Sequence, residues 1–268
     1  MKKSILLLST LLFGILLFDS CKKSDDANDI EVATSEDVAT AEDFSEEIDF
    51  AADVAIEERG GPSACPVVTL AQPWGTWPNT ITIDYGTVGC DGPNGNHTLK
   101  GKIIINQSAD MFTAGAVRTK TFENFFVDDV QVEGTKSWTN NGQDANGLWS
   151  YTKTATDMKL SYPDGTSSTW NHTHTSTLIE GGNTLTHWDN VWSTTGSTSG
   201  FNRNGVAVSS TITEPLIKKA VCRWVSEGVI ECTRDGNVST LDFGDGSCDR
   251  FAKLTTANGN TFTIRLRQ

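Results

Sequence analysis

The chain has 268 residues, with 34 Asp and Glu against 21 Lys and Arg, for a formal net charge of −13. That balance argues against nucleic acid as a partner, because phosphate binding is driven by clustered Lys and Arg. With 37% hydrophobic residues, the length suits one large domain or two small ones.

Lys2 and Lys3 open the chain, and Ile5 to Phe18 is an almost wholly apolar run. A short positive region before about 14 apolar residues has the layout of an export signal, and it falls short of the roughly 20 needed to span a bilayer. The run ends at Phe18-Asp19-Ser20-Cys21, which resembles the lipobox of bacterial lipoproteins, where a small residue precedes a cysteine that is lipidated and becomes the new N-terminus. Phe18-Asp19 departs from the Leu and small residue usual there. The resemblance implies a signal peptide over residues 1–20, lipidation at Cys21 and the membrane as a partner through that anchor. Lys22 stands where Asp would mark inner-membrane retention, and Lys22-Lys23-Ser24-Asp25-Asp26 resembles the surface-export signals of Bacteroidota-type lipoproteins. The implied location is the outer membrane, facing the periplasm or the cell surface.

Residues 21–61 hold most of the negative charge: Lys22 to Arg59 contains 14 acids against three bases. Phe44 and Phe50 are its only aromatics. Self-repulsion and few large apolar side chains predict a flexible, solvated acidic tether. The alternative reading is a helix over Ala39 to Glu58 that docks on a partner. Gly60-Gly61-Pro62 then breaks the segment.

Residues 62–268 lack helical periodicity and read as an all-β domain. Thr-, Val-, Ile- and aromatic-rich stretches recur, such as Thr80 to Asp84, Lys102 to Asn106, Thr119 to Val132, Thr166 to Leu178, Thr184 to Ser193 and Val229 to Thr233. Asn141-Gly142, Asp164-Gly165, Gly181-Gly182, Asn204-Gly205, Asp235-Gly236 and Asn258-Gly259 separate them, and Asn-Gly and Asp-Gly supply the positive φ of tight hairpins. The expectation is a single antiparallel meander, as a curved sheet or sandwich, with a barrel as the alternative. Thr and Ser alternating with apolar residues predict one wet face.

One element occurs twice. Thr80-Ile81-Thr82-Ile83-Asp84-Tyr85-Gly86 leads to Cys90-Asp91, and Val238-Ser239-Thr240-Leu241-Asp242-Phe243-Gly244 leads to Cys248-Asp249. Asp242, Asp245 and Asp249, with Asp84 and Asp91 as the equivalent pair, are candidate ligands for a divalent cation, since calcium takes six to eight oxygens. The competing reading is that each carboxylate closes an Asx-turn on its own backbone. The element is similar to one in uncharacterised β-rich lipoproteins of Bacteroidota-type bacteria, a resemblance that implies no activity.

Five cysteines follow Cys21, an odd number in a compartment that permits disulfides. A hairpin closed by Ser226-Glu227-Gly228 would set Cys222 opposite Cys232 and predicts that bond. Pairing among Cys65, Cys90 and Cys248 stays open.

His172 and His174 lie on one strand, and His187 and Asp189 follow a Gly181-Gly182 turn. If that turn is a two-residue loop, three imidazoles and a carboxylate share a face and form a candidate metal site. Trp188 and Trp192 then fall on the opposite, wet face as a ligand platform. No nucleophile elbow, zinc-protease helix, phosphate loop or dinucleotide motif is present, so no catalytic residue is assigned. The reading is a non-enzymatic envelope lipoprotein that binds a glycan, peptide or envelope protein and uses no cofactor beyond a possible divalent cation. The alternatives are a metal-assisted hydrolase built on His172, His174 and His187, and a carrier sheltering lipid or apolar peptide in a curved sheet.

Overall fold

The computed structural model describes residues 22–59, 61, 65–93, 95, 97–184 and 186–266. The signal segment and Cys21 lie outside the described residues. Helix α1 (Lys22–Glu57) comes first, and fourteen strands follow in one antiparallel sheet that does not close into a barrel. These are β1 (Val67–Leu70), β2 (Asn79–Asp84), β3 (Cys90–Asp91), β4 (Thr98–Gln107), β5 (Val117–Val127), β6 (Val130–Gln143) and β7 (Trp149–Ser161). They continue with β8 (Ser167–Glu180), β9 (Val191–Phe201), β10 (Ala207–Lys219), β11 (Glu227–Arg234), β12 (Asn237–Asp245), β13 (Phe251–Thr255) and β14 (Thr261–Arg265). Apart from β3, which pairs only with β4, every strand lies beside its chain neighbours, so the meander is complete.

Period-two alternation gives the sheet its two faces. Thr80, Asn106, Thr119, Ser137, Thr154, Thr173, Ser197 and Thr211 stand opposite one another in register from β2 to β10 on the outer face, which is the wet face the sequence predicts. The inner face curls around α1. Bulges bend it, because an extra residue kinks the strand and raises its twist. They fall at Gly101 in β4, Asn124 in β5, Gly134 in β6 and Asp157 in β7, all with positive φ, and again in β10 and β11. Gly101 is obligatory: its φ is 80°, and a Cβ there would sit 2.0 Å from the Asn124 carbonyl oxygen.

The acidic segment corrects the tether expectation. It is a helix, and from Glu31 to Ile56 it is largely buried in the sheet. Phe44, Ile48, Ala51, Ala52 and Ala55 form one apolar stripe at helical spacing, packed against Ile81, Ile83, Ile103, Ile105, Phe125 and Met158. Glu42, Glu46, Asp49 and Asp53 form a second stripe on another side. The sheet answers that stripe with basic residues pointing inward: Arg118 and Lys120 from β5, Lys136 from β6 and Lys153 from β7, each no more than 7% exposed. The apolar stripe thus carries the segment inward, and its charges are tolerated there because their partners are inside. Earlier on the helix, Ala39 packs with an aliphatic cluster of β10 to β14 that includes Ile230, Leu241, Leu254 and Ile264, with Val32 and Val38 beside it.

The cysteine pairing is also corrected. Cys65 bonds Cys90 and Cys222 bonds Cys248, at sequence separations of 25 and 26, while Cys232 is a buried free thiol. The expected hairpin fails because β10 extends to Lys219, leaving Cys222 in the turn and setting Cys232 opposite Ser210. The repeat reappears as structure. In each copy a cysteine precedes a hairpin, β1–β2 or β11–β12, and a second cysteine after it closes a disulfide, so both regions of the sheet carry the same clasp. Closing a loop of this length contributes about 3 kcal/mol in the chain-entropy account.

Candidate functional site

At the C-terminal end of α1 a cavity of about 350 Å³ opens between the helix and one edge of the curled sheet. Its floor is aromatic: Trp138 of β6, Tyr151 of β7 and Trp192 of β9, with ring centroids 5.6 to 5.8 Å apart. Inward positions at the ends of three nearby strands place these rings together. Its rim carries Trp74 and Phe112, which are 41% and 49% exposed. Arg59 lies over Trp74, its guanidinium carbon 3.5 Å from the ring centre.

Polar groups stand among the rings. Arg118 pairs with Asp53 of α1, and its Nε donates to Gln107 Oε1 at 2.7 Å. Burial alone would raise the Asp53 carboxyl, but Arg118, His187 and Lys120 outweigh it and hold the group below the usual carboxylate range. The residue 181–190 loop closes one side: the His187 backbone N–H donates to Glu57 Oε2 at 2.9 Å, and Asn190 Nδ2 lies 3.3 Å from His187 Nδ1. Stacking surfaces beside amide and charged groups suit a ligand with both apolar faces and hydroxyls. A larger depression on the outer face, about 740 Å³, mixes small Ser, Thr and Gly residues with Asp157, Lys159 and Asp235 and offers Phe201 as its aromatic surface.

The Trp188 and Trp192 platform is relocated by this geometry. Trp192 belongs to the floor of the cavity, on the inner side, and Trp188 packs edge-on against Phe50 of α1 at 5.3 Å. A two-residue loop after β8 would set both outside. The loop runs over residues 181–190, because Gly181-Gly182 opens it and does not span it, and β9 starts at Val191.

The same correction divides the histidines. His172 and His174 point inward from β8, stacked at 4.1 Å and tilted by 19°. His187 and Asp189 are in the loop; His187 joins the cavity wall, and Asp189 accepts from Thr184. The partner that reaches the β8 pair is Glu42 of α1, whose Oε1 is 3.9 Å from His174 Nε2. Thr198 of β9 donates to Glu42 Oε1 at 3.1 Å, and its hydroxyl is 3.1 Å from His174 Nε2. Burial, then the neighbouring His174, Lys136 and Lys153, hold His172 well below the ordinary imidazole range despite the opposing Asp49.

The aspartates of the repeated element close turns. Asp242, Asp245 and Asp249 accept from the backbone N–H groups of Gly244, Ser247 and Phe251, and Asp84 accepts from Gly86. Among the described residues, the grouping with donor atoms close enough for one ion is Glu42, His172 and His174.

A second charged cluster escaped the sequence reading. Asp49 receives Lys120 at 2.6 Å and Lys136 at 2.9 Å, with Lys153 at 3.9 Å and the Trp138 indole N–H at 3.2 Å. Burial would raise the Asp49 carboxyl, yet the three ammonium groups hold it far below the usual range. Burial, aided by Lys120, pushes Lys136 down against the pull of Asp49. A signal for this cluster exists in the sequence. In β6 and β7, Lys136 and Lys153 share parity with Trp138, Tyr151 and Ala155, so they belong to the packed face. No protein-family model matches the chain, and no curated protein or solved structure matches it.

Proposed function

We propose that the chain is a non-enzymatic, lipid-anchored envelope module that takes a small carbohydrate into the cavity at the end of α1. The supporting observation is the wall: three tryptophans, Tyr151 and Phe112 alternate with Gln107, Asn190 and the Asp53–Arg118 pair. A sugar ring presents C–H faces that stack on aromatic rings and hydroxyls that bond to amides and ion pairs. Burial of its apolar faces gives affinity, and the polar groups fix its orientation. About 350 Å³ lies in the range of small-molecule sites, roughly 300–1,000 Å³. The anchor rests on the lipobox-like Ser20-Cys21.

Three observations favour this reading over its rivals. A hydrolase using His172, His174 and His187 together would need them at one centre, and His187 stands apart in the loop. His172 and His174 are also 5% and 2% exposed under α1, which leaves no path for a substrate. A lipid carrier needs an apolar hollow, whereas the inner face is filled by α1 and carries Lys120, Lys136 and Lys153.

The test is a glycan array followed by calorimetry on any hit, with a double variant at the rim, Trp74→Ala with Phe112→Ala. The expected result is binding to a defined sugar that weakens at least tenfold in the variant while the melting temperature holds. An array without hits, or a sugar bound equally well by the variant, would overturn the assignment. Mass spectrometry of the N-terminal peptide from membranes is expected to find acyl chains on Cys21, and a Cys21→Ser chain that still partitions with membranes would remove the anchor.

A further inference from the structure

We infer that Glu42, His172 and His174 bind one divalent transition-metal ion of the zinc class, which ties α1 to strand β8. The two histidines are separated by one residue on a strand, so both project from the same face. That face is the inner one, and the helix lays Glu42 across them. One donor atom from each residue lies within 4.8 Å of the others, and all three are buried. A tetrahedral zinc ion sits 2.0–2.1 Å from nitrogen and holds its donors about 3.3 Å apart, so small side-chain rotations close the set. The Thr198 hydroxyl, 3.1 Å from both Glu42 Oε1 and His174 Nε2, offers a fourth, neutral oxygen.

Two further observations point to a ligand here. His172 is 5% exposed, and neither of its ring nitrogens has a hydrogen-bond partner. Buried polar atoms are nearly always satisfied, since an orphan forfeits its hydration without return. A metal ion accepts the lone pair that no neighbouring donor reaches. The second observation is charge. Glu42 is 4% exposed, and its contacts are a hydroxyl and an imidazole. The nearby Lys136 and Lys153 are committed elsewhere, to Ser45 and Asp49 and to Glu46 and Asp49. A buried carboxylate needs a compensating cation, and a divalent ion among two imidazoles supplies it.

The site is enclosed, so the ion has a structural role: it joins helix to sheet and loads as the chain folds. It shares no residue with the aromatic cavity, and either assignment stands if the other fails.

The experiment uses the tag-free mature chain, unfolded with chelator and refolded with or without one equivalent of Zn²⁺ or Co²⁺, so that slow entry into a closed site does not hide binding. The expected result is one ion per chain by elemental analysis after gel filtration, a higher melting temperature with Zn²⁺, and a visible Co²⁺ absorption of tetrahedral intensity. Glu42→Gln is nearly isosteric and keeps a hydrogen bond to Thr198, and His172→Leu fills the same space without donor atoms. Each is expected to fold, to lose at least tenfold in Zn²⁺ affinity and to lose the Co²⁺ band. Substoichiometric metal in the refolded wild-type chain would overturn the inference, and so would equal binding by the wild type and both variants, which would place the ion on surface carboxylates.

Discussion

Asp49 and Glu42 stand seven residues apart on α1, two helical turns along one stripe, and both reach into the same inner face of the sheet. Their surroundings differ in kind. Asp49 meets three ammonium groups and an indole N–H, and every oxygen is spoken for. Glu42 meets a hydroxyl and an imidazole, beside a second imidazole whose two nitrogens are unpaired. A buried carboxylate is satisfied only as far as the opposite wall supplies donors. Beneath Asp49 the wall is complete within the chain; beneath Glu42 it awaits a cation.

The sharpest way to break the comparison is at Asp49. Asp49→Ala leaves Lys120, Lys136 and Lys153 with Glu46, 3.4 Å from Lys153, as their remaining counter-charge, and Lys120 and Lys136 are directly opposite in register. The expected loss is about 3–5 kcal/mol, read as a fall in the urea midpoint. A loss below about 1 kcal/mol would mean that the cluster does not hold the helix. A companion chain with Asp49→Leu, Lys120→Met, Lys136→Met and Lys153→Met together is expected to recover most of the stability, because an apolar set of similar volume needs no counter-charge.

Apolar anchoring of the same helix is next in size. Ile48 is fully buried in the cluster with Phe44 and Phe125, and Ile48→Ala should cost about 2–4 kcal/mol. Cleavage of α1 by protease without any change at Ile48→Ala would contradict the docked helix.

A pH series sharpens the picture. His97 lies 2.8 Å from Asp128 and 3.6 Å from Asp43 of α1, with Glu47 and the Phe44 ring also facing it. Burial opposes its charge, but Asp128 and Asp43 prevail and raise its pKa to about 9. A raised folded pKa means that the imidazolium stabilises the fold fully below the unfolded value, near 6.5, and that this contribution fades as pH rises through about 9. The expected decline is on the order of 3 kcal/mol across that window. It should flatten in His97→Gln, and an equal slope in both chains would assign the effect to other groups.

Smaller effects come last. In metal-free protein Glu42→Gln should raise stability by about 1 kcal/mol, in contrast with Asp49, since it removes a buried carboxylate on which no ammonium depends. Trp74→Ala, at the exposed rim of the cavity, should stay within about 0.5 kcal/mol of the parent in denaturant titration. A larger loss there would make Trp74 part of the fold and not a ligand contact.

Much of the sheet was legible because its signals are local. Asp235-Gly236 forms a two-residue turn with both φ angles positive, and Asp164-Gly165, Asn204-Gly205 and Asn258-Gly259 each lie in a hairpin connection. Asn141-Gly142 carries the same dipeptide yet forms a bulge inside β6, since the same positive φ serves both uses. The loop after β8 is illegible for a related reason: Gly181-Gly182 permits a tight turn without requiring one, and nothing local reveals a ten-residue connection. That single length moved Trp188, Trp192, His187 and Asp189.

Strand alternation and turn preference act over a few residues, so the all-β meander, its wet outer face and the shared face of His172 and His174 are written locally. Tertiary structure alone decided the fate of the acidic segment. Its carboxylates repel one another in isolation and bind the inner wall when Arg118, Lys120, Lys136 and Lys153 converge from three strands. The same assembly chose Glu42 as the partner of the two histidines across more than a hundred residues of chain. Those choices depend on how far the sheet curls, which is set by bulges spread over several strands and recorded in no one stretch of sequence.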